Sequence, residues 1–197
     1  MLKKDIRQIY TQKRLALSPS DWQKCSQSVH DILFSRIMMH RYSPIHIFLP
    51  ILRNNELDTH LIISTLRKDF SPDLFLPIVK ENELLHSPYT STTLVLKNKW
   101  EIEEPPITND TLTGQEFFEK YAKEDILILV PLLAFDKNGN RVGYGKGYYD
   151  SFLQYAHPNT TIMGLSLFDA LEEPISDTNP SDIAMHFCVS PGKVWTF

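Results

Sequence analysis

Apolar side chains recur every three or four residues in the first part of the chain, and this spacing predicts two amphipathic helices. The first covers residues 3–16. The run Ser18-Pro19-Ser20-Asp21 then marks the end of that helix and caps a second one, with proline at its first position. The core-facing stripe of the second helix is predicted to consist of Trp22, Cys25, Val29, Ile32, Leu33 and Ile37.

Further along, short apolar runs alternate with helical segments. Strands are predicted at residues 45–51, 74–79, 125–133 and 161–167, with one or two more within residues 187–197. Helices are predicted at residues 115–123, at residues 146–155, and from Asp58 or Thr59 to Phe70. Residues 89–96 alternate so weakly that an edge strand and a loop both remain open. This alternation of strands and helices predicts an α/β sandwich on a mostly parallel sheet, in one domain over residues 1–197.

The composition is that of a globular protein, with 42% hydrophobic and 22% charged residues, which argues against disorder and coiled coil. The longest strongly apolar run without a charge, residues 126–135, is shorter than the roughly 20 residues that a membrane span needs. The first residues lack the pattern of a secretory signal, so we expect a cytoplasmic protein. Cys25 and Cys188 have no metal-ligand spacing and imply no disulfide framework. The formal net charge of -4 argues against a dedicated nucleic-acid binder.

Two segments depart from this average. Residues 1–20 contain a single acid and five basic residues, which suggests that an anion meets this segment. The basic residues are Lys3, Lys4, Arg7, Lys13 and Arg14. The chain has only 7 glycines, and Gly139, Gly143, Gly145 and Gly147 lie close together. Glycines clustered in this way indicate a backbone with unusual dihedral angles or a close ligand.

The glycine-rich segment lies between the most convincing predicted strand and a predicted helix. In an α/β sheet, ligands bind beyond the carboxyl ends of the strands, and helix N-termini accept anions. The segment is not a P-loop, because Asn140 and Gly147 stand where that motif requires glycine and serine or threonine. It is not a dinucleotide fingerprint, because Tyr148 stands where glycine or alanine is required. From the residues alone, two interpretations remain open: a phosphate-binding loop, or a hairpin turn at Asn138-Gly139 followed by an ordinary loop.

The run from Phe135 to Asp150 reads FDKNGNRVGYGKGYYD, and it resembles the signature of the 5-formyltetrahydrofolate cyclo-ligases, also called methenyltetrahydrofolate synthetases. The resemblance extends over nearly the whole chain, in matching order and spacing. The other matching segments are Lys3-x-x-x-Arg7 with Arg14, Ile47-Phe48-Leu49, Glu56-Leu57-Asp58-Thr59, Leu76-Pro77, Ile102-x-Glu104-Pro105 and Val130-Pro131. The resemblance implies a three-layer α/β/α sandwich around a mixed, mainly parallel sheet.

Enzymes of this family use ATP and Mg²⁺ to convert 5-formyltetrahydrofolate into 5,10-methenyltetrahydrofolate, with release of ADP and phosphate. The formamide oxygen is a poor leaving group, so the γ-phosphoryl group of ATP is transferred to it, and a neighbouring folate nitrogen then displaces phosphate. Such a transfer needs mainly positioning and charge stabilisation. The resemblance therefore implies ATP and Mg²⁺ as cofactors and two small-molecule partners, the folate and ATP. We expect no nucleic-acid or membrane partner, and a monomer.

Matching the family motifs residue by residue implies three groups of site residues. The ATP-binding group consists of Lys3, Arg7, Arg141, Gly143, Gly145, Lys146, Gly147 and Tyr149. Within it, Lys146 and Arg141 are also implied to be catalytic. The folate group is Leu49, Glu56 and Tyr148, and the Glu56 carboxylate can accept two hydrogen bonds from the amino-pyrimidinone edge of a pterin. The Mg²⁺ ligands are Asp150 and Asp182.

Two positions depart from the family pattern. Tyr144 stands where the family often carries arginine, which removes one phosphate-binding charge. His186 stands where a second acid often follows Asp182, and a metal ligand and a packing residue both remain open there. Trp100, Tyr144 and Tyr149 are aromatic side chains that can stack on flat rings. Without the resemblance, the basic first helix is best explained as a solvated face, or as part of a non-catalytic module that binds a phosphate ligand or nucleic acid.

Overall fold

The computed structural model describes residues 1–81, 83–98 and 102–197, so Trp100 lies outside the described residues. The α-helices are α1 (Lys3–Leu15), α2 (Pro19–Arg36), α3 (His60–Thr65), α4 (Gly114–Lys120) and α5 (Tyr148–Leu153). Short 3-10 turns cover Met39–Arg41 and Leu52–Asn54, and a π-helical turn covers Leu66–Phe70. Of the helices described, none is both long and apolar enough to cross a bilayer.

The strands are β1 (Ile45–His46), β2 (Leu74–Lys80), β3 (Glu83–Pro88), β4 (Leu96–Lys97), β5 (Glu103–Glu104), β6 (Ile126–Pro131), β7 (Ala134–Phe135), β8 (Arg141–Val142), β9 (Thr160–Leu165), β10 (Phe187–Ser190) and β11 (Lys193–Thr196). Within the described residues, one sheet has the order β11-β10-β9-β6-β1-β2-β3. Its central strands run parallel, and β3 and β11 add antiparallel edges. The mixed, mainly parallel sheet is thus confirmed.

Side chains of β6 alternate between the two faces of this sheet. Leu127 and Leu129 belong to a buried cluster with residues of α2 and α3. Ile126, Ile128 and Val130 belong to a second cluster with residues of α4 and α5. Helices therefore cover both faces, and the three-layer α/β/α arrangement is confirmed. Burial on both faces is also why this strand is a continuous apolar run in the sequence.

The two helices predicted at the start of the chain are confirmed. The Ser18 hydroxyl accepts a hydrogen bond from the backbone N–H of Asp21 at 3.1 Å, and Pro19 occupies the first turn of α2. Helix α1 packs on the short β7–β8 hairpin through the buried Ile6. This placement brings the basic residues of α1 beside the glycine-rich segment.

The strand predicted at residues 45–51 is wrong in its length, because β1 ends at His46. Beyond that point, side chains of a following loop hold the backbone. Thr59 Oγ1 donates to the carbonyl oxygen of Phe48 at 2.6 Å, and the N–H of Ile51 donates to Glu56 Oε2 at 2.8 Å. The chain therefore leaves the sheet early and forms the loop that carries Glu56.

Strand β3 was absent from the sequence-based assignment. It forms an antiparallel pair with β2, and Glu81, which directly follows β2, has a φ of 52°. Leu84, Leu85 and His86 are all buried, so the strand lacks the alternation of polar and apolar residues that identifies a half-exposed strand.

Two other segments differ from the expected pattern. Residues 89–96 form a loop that reaches strand β4 only at Leu96, which answers the alternative left open by the sequence. The helix predicted up to Phe70 is α-helical to Thr65, and its last turn is π-helical. Ser71 then ends it with a φ of 51°.

Candidate active site

The signature segment contains two structural units after β6. The first is the turn that joins β7 and β8, in which Gly139 has a φ of 82°. Asp136 Oδ1 accepts hydrogen bonds from the backbone N–H groups of Asn138 and Asn140, each at 3.0 Å. The hairpin turn at Asn138-Gly139 is thus confirmed. The second unit, residues 143–147, follows β8 and leads into α5, and we call it the glycine loop.

Arg7 of α1 is packed against the glycine loop. Its Nε donates a hydrogen bond to the carbonyl oxygen of Gly143 at 2.9 Å. Gly145 has a φ of 88°, and a Cβ there would lie 3.0 Å from Arg7 Cζ. Gly145 therefore provides both the backbone angle and the space that the guanidinium needs.

The two lysines of the predicted ATP group have different surroundings. Lys3 Nζ forms an ion pair with the Asp182 carboxylate, and the Lys3 N–H donates to Asp177 Oδ1 at 2.7 Å. Lys146 is exposed, and its ammonium has no hydrogen-bond or ion-pair partner among the residues that the structure describes. Lys146 thus presents an uncompensated positive charge from the glycine loop, whereas Lys3 neutralises an acid.

Arg141 and Asp150 form a largely buried ion pair beside the loop. Arg141 Nη2 lies 2.6 Å from Asp150 Oδ1, and only 6% of the Arg141 side chain is exposed. Arg141 Nη1 also donates to the carbonyl oxygen of Ile183, and the Ile183 N–H donates to Asp150 Oδ1 at 3.1 Å. Burial lowers the pKa of Arg141, and the Asp150 charge opposes this shift. The pair ties β8 and α5 to the segment before β10.

Asp182 lies in that same segment. Burial raises the pKa of its carboxyl, but hydrogen bonds from Lys3 and from the Asn179 N–H outweigh burial, so that the net shift is downward. The carboxylate is therefore held in its charged form. The charge of Arg141 adds to this effect, so Arg141 acts on both predicted metal ligands.

The residues present fit a Mg²⁺ ion that is shared with a nucleotide. Asp150 uses Oδ1 for its hydrogen bonds and Asp182 uses Oδ2, so one oxygen of each accepts no hydrogen bond from a described residue. Hard oxygen ligands in small number suit Mg²⁺ held together with phosphates. The described residues contain no cluster of three or more His, Cys, Asp or Glu that could hold a metal without such help.

Glu56, the predicted folate contact, is a buried carboxylate with 4% exposure. Its Oε1 accepts a hydrogen bond from the Tyr144 hydroxyl at 2.5 Å, and its Oε2 accepts the bond from Ile51. Arg14 Nη1 lies 4.0 Å from Oε1. Burial raises the pKa of Glu56, while these two hydrogen bonds and the Arg14 charge lower it. Trp22 of α2 holds the backbone at this point by donating to the Glu56 carbonyl at 2.7 Å.

Tyr144 connects the glycine loop to Glu56. Its hydroxyl accepts hydrogen bonds from Arg14 Nη2 at 2.5 Å and from Asn54 Nδ2 at 3.3 Å. Burial of the hydroxyl, with the nearby Glu56 charge, raises the pKa of Tyr144 to about 12. Position 144 lacks the arginine that the family often carries. A guanidinium is nevertheless present there, because Arg14 bonds to the Tyr144 hydroxyl.

Arg14 was not among the predicted site residues, although it belongs to the matching N-terminal motif. It lies two helical turns after Arg7, so both side chains leave α1 on one face. Arg14 is only 3% exposed. The signal that could have identified Arg14 is its helical spacing from Arg7, which places both basic residues on the same face of α1.

The aromatic residues around the loop occupy separate positions. The Tyr148 hydroxyl donates to the carbonyl oxygen of Glu81, at 3.2 Å, in the turn between β2 and β3. The Tyr149 hydroxyl is buried and has no hydrogen-bond partner among the described residues. Burial, followed by the Glu56 charge, raises its pKa. Leu49 is buried in the cluster that also contains α2 and α3. No hydrogen bond in the described part of the chain joins Tyr148 to Glu56.

His186 has a structural role in the sheet. Its Nδ1 accepts a hydrogen bond from the Ile162 N–H at 2.9 Å, and its own N–H donates to the Ile162 carbonyl at 2.9 Å. These bonds continue the pairing of β9 with the segment before β10. The structure therefore gives His186, whose side chain is exposed, a hydrogen-bonding role at the edge of this strand pairing.

Helix α1 is the element that brings the predicted groups together. Lys3 meets Asp182, Arg7 meets the glycine loop, and Arg14 meets Tyr144 beside Glu56. The basic face of α1 is thus paired with specific site residues.

Comparison with known proteins gives a consistent result for this chain. The profile of the 5-formyltetrahydrofolate cyclo-ligase family matches residues 1–173. The 5-formyltetrahydrofolate cyclo-ligase of Escherichia coli K12 is 29% identical over 189 residues, which cover 93% of this chain and 97% of that protein. The mouse protein of the same name is 27% identical over 185 residues, which cover 91% of this chain and 87% of the mouse protein.

The fold has a solved counterpart. The solution structure of Aquifex aeolicus 5,10-methenyltetrahydrofolate synthetase superimposes with a TM-score of 0.78 and 27% sequence identity. The match covers 100% of this chain and 93% of that one. The whole α/β sandwich is therefore shared with that synthetase.

Proposed function

The chain belongs to the 5-formyltetrahydrofolate cyclo-ligase family, and from this premise we propose that it uses ATP and Mg²⁺ to convert 5-formyltetrahydrofolate into 5,10-methenyltetrahydrofolate. The products are ADP and inorganic phosphate. The ligase class and the link to folate follow from the family. The use of ATP and Mg²⁺, the intermediate and the residue roles are the content of the proposal.

The proposed reaction has two steps. The formyl oxygen first attacks the γ-phosphorus of ATP, the bond to ADP breaks, and an imino-phosphate forms at the formyl carbon. The second folate nitrogen then attacks that carbon, loses its proton, and displaces phosphate to close the ring. Phosphoryl transfer requires mainly positioning and stabilisation of charge on the transferred group.

The glycine loop and α1 supply the positive charge that this step requires. Arg7 already lies against the loop, and Lys146 presents from it an exposed ammonium that has no partner among the described residues. We assign Lys3, Arg7, Gly143, Gly145, Gly147 and Tyr149, together with the catalytic pair Lys146 and Arg141, to ATP. Arg141 has to share its guanidinium with Asp150, because the two form a largely buried ion pair.

Asp150 and Asp182 would hold the metal through the carboxylate oxygens that accept no hydrogen bond from described residues. Mg²⁺ bound there supplies positive charge to the nucleotide phosphates. Lys3 and Arg141 hold the two carboxylates in position through their ion pairs.

We place the folate at Glu56, with Leu49 and Tyr148 lining the same pocket. The support is the buried carboxylate of Glu56, which is held from behind by Ile51 and Trp22. We also propose one catalytic domain over residues 1–197, because the strands of its main sheet span residues 45–196. The monomeric state and the cytoplasmic location stay predictions.

One observation carries the proposal: Tyr144 of the glycine loop donates a hydrogen bond to Glu56, so the proposed ATP and folate groups adjoin. The test is an absorbance assay with purified protein, 5-formyltetrahydrofolate, ATP and Mg²⁺. The conjugated methenyl product absorbs in the near ultraviolet, and the formyl substrate does not. Product must form only when ATP and Mg²⁺ are both present. Folate or ATP binding without product would instead support the non-catalytic alternative.

A further inference from the structure

Both oxygens of the carboxylate assigned to the folate already accept hydrogen bonds from the protein. Oε1 of Glu56 accepts the Tyr144 hydroxyl at 2.5 Å, and Oε2 accepts the Ile51 N–H at 2.8 Å. Glu56 is 4% exposed, whereas Tyr144 is 44% exposed. The tyrosine thus lies between the carboxylate and the solvent from which a substrate arrives.

The Tyr144 hydroxyl is held firmly in this position. It has one proton, which it donates to Glu56, and it accepts from Arg14 at 2.5 Å and Asn54 at 3.3 Å. The Arg14 guanidinium also lies near the face of the Tyr144 ring, 5.4 Å from its centroid. A carboxylate oxygen can accept a second hydrogen bond, but Glu56 is only 4% exposed, so an N–H donor of the folate reaches Oε1 only if Tyr144 moves.

We propose that Tyr144 is a gate on Glu56: its hydroxyl and the amino-pyrimidinone edge of the folate compete for the same carboxylate, and Tyr144 must move before the folate binds. The inference rests on the proposed function, because that assigns the folate to Glu56. It adds a residue that opposes binding from within the proposed ATP loop.

Movement of Tyr144 depends on the two glycines beside it and on Arg7 of α1, which contacts both of them. Gly143 and Gly145 flank Tyr144, and the φ of 88° at Gly145 is one that other residues rarely adopt. Arg7 bonds to Gly143 and packs on Gly145, so it holds the loop on both sides of Tyr144. Among the described residues, no hydrogen bond other than that of Arg7 holds the backbone at these two glycines.

Nucleotide binding is therefore coupled to the gate. Arg7 bonds to Gly143 through Nε, so ATP phosphates can bind its two terminal nitrogens. A phosphate that draws the guanidinium toward itself breaks the Nε bond to the Gly143 carbonyl. Loss of that bond loosens the loop and allows Tyr144 to leave Glu56. By linkage, a nucleotide that favours the open gate increases folate affinity, and folate increases nucleotide affinity by the same factor.

A merely supporting tyrosine predicts the opposite result. If Tyr144 served to hold Glu56 in place for the folate, loss of its hydroxyl would weaken folate binding. The sign of the change in affinity thus separates a gate from a structural contact.

The experiment measures the Kd of 5-formyltetrahydrofolate by calorimetry, with and without the non-hydrolysable ATP analogue AMP-PNP and Mg²⁺. The proteins are wild type, Tyr144→Phe, and the control Tyr155→Phe. Tyr155 is exposed to a similar degree, 41%, and lies outside the proposed site. Tyr144→Phe keeps the ring and removes only the hydroxyl.

Without nucleotide, Tyr144→Phe is expected to bind the folate about tenfold more tightly than wild type, which is the scale of one hydrogen bond to a charged group. AMP-PNP is expected to lower the folate Kd of wild type and of Tyr155→Phe by a similar factor, about tenfold. It is expected to change the folate Kd of Tyr144→Phe by less than about twofold. Tyr144→Ala, which also removes the ring, is expected to change in the same direction.

Unchanged or weaker folate binding by Tyr144→Phe overturns the gate. An equal effect of AMP-PNP on wild type and on Tyr144→Phe overturns the coupling. These outcomes are distinct from a failure of the proposed function, which would appear as wild-type protein that makes no methenyl product. Wild-type protein that binds no folate in any condition overturns both.

Discussion

Arg7 and Gly145 are packed so closely that a Cβ on the glycine would lie 3.0 Å from the arginine Cζ. The two residues are far apart in sequence, and the contact joins α1 to the glycine loop. Arg7 is the flexible partner, because its guanidinium is the end of a long side chain. A side chain at position 145 therefore displaces Arg7 before it disturbs the fold.

Gly145→Ala is expected to weaken ATP binding and turnover by about tenfold, the scale of one charge-assisted phosphate contact. The cause is displacement of Arg7, together with the strain of a non-glycine residue at a φ of 88°. The steady-state KM for ATP measures the displacement of Arg7, and urea unfolding measures the backbone strain. Gly192→Ala is the control, because Gly192 has a φ of 85° and nothing within 4 Å of an added Cβ.

The control separates strain from displacement. Both variants are expected to lose similar stability, about 1–3 kcal/mol for a non-glycine residue at positive φ. Gly192→Ala is expected to keep wild-type kinetics. Equal kinetics in the two variants would contradict the contact between Arg7 and the nucleotide.

Asp150→Asn is expected to lower turnover at least about tenfold and to raise the Mg²⁺ concentration needed for half-maximal rate. The amide keeps the shape of the carboxylate but loses the charge that faces the metal. It also removes the ion-pair partner of Arg141, of whose side chain only 6% is exposed, so stability should fall. The measurements are a Mg²⁺ titration of the rate and thermal unfolding.

Glu172→Gln is the matched control for Asp150→Asn. Glu172 pairs with Lys137 at 3.2 Å on the surface, and 93% of its side chain is exposed. Loss of that exposed pair is expected to change neither rate nor stability measurably. A Mg²⁺ titration of Asp150→Asn that overlays the wild type would remove Asp150 from the metal site.

Lys146→Met is expected to reduce ATP affinity or turnover by about tenfold, because a charge-assisted contact is worth roughly 1.5 to 3 kcal/mol. Methionine keeps the aliphatic length, and Lys146 is exposed, so stability should not change. Lys146→Arg retains the charge and is expected to retain most of the activity. Calorimetric titration with ATP and steady-state rates make the test. Wild-type values in both would show that Lys146 is a solvated loop residue.

Elements with local signals could be predicted from the sequence. The apolar stripe of α2 and its N-cap at Ser18 are formed by residues that are close in sequence. The apolar run of β6 can be recognised without knowing which strands pair with it. Strand β3 has no such signal because its buried positions include His86 and Ser87, so it shows neither an apolar run nor an alternation of polar and apolar residues. The family resemblance supplied the site residues, including Glu56.

The pairings within the site could not be predicted. Lys3 and Asp182 are separated by 179 positions, and Tyr144 and Glu56 by 88. Such contacts depend on how α1 and the glycine loop dock against the rest of the fold. Periodicity describes one element at a time, so it could not show that Arg14 lies beside Tyr144.

The buried pair His46 and His86 predicts a pH-dependent stability. His86 Nδ1 lies 3.0 Å from His46 Nε2, and both side chains are fully buried. Burial lowers the pKa of His46 to about 3, and burial followed by the charge of His46 lowers the pKa of His86. Both histidines are therefore neutral in the folded chain at pH values where the unfolded chain, near its ordinary pKa of 6.5, binds protons.

Because the unfolded state binds more protons below pH 6.5, the free energy of unfolding must fall as the pH decreases from 6.5 toward 3. Two such groups give a slope of up to about 3 kcal/mol per pH unit. His60 opposes this trend, since its hydrogen bond with Asp58 raises its pKa, but it is partly exposed and its effect is smaller. Urea unfolding at several pH values measures the slope. A free energy of unfolding that stays constant between pH 6.5 and 5 would contradict the neutral pair.

Glu56→Gln is expected to affect use of the folate and not use of ATP. The amide keeps one acceptor oxygen, so the variant can no longer accept two hydrogen bonds from a pterin edge. The KM for the folate should rise about tenfold or more, and the KM for ATP should change little. The variant also removes the counter-charge of Arg14, which lies 4.0 Å from Oε1 and is 3% exposed, so a loss of stability must be separated from a loss of binding.

The double variant Arg14→Met with Glu56→Gln makes that separation. Removing one member of a buried ion pair leaves an uncompensated charge, whereas removing both is often neutral. The double variant is therefore expected to regain most of the stability that Glu56→Gln loses, as measured by urea unfolding. Its folate KM should stay high, because the carboxylate is still absent. Recovery of the folate KM together with stability would show that Glu56 acts through the fold, and an equal rise in both KM values would argue against a folate-specific role.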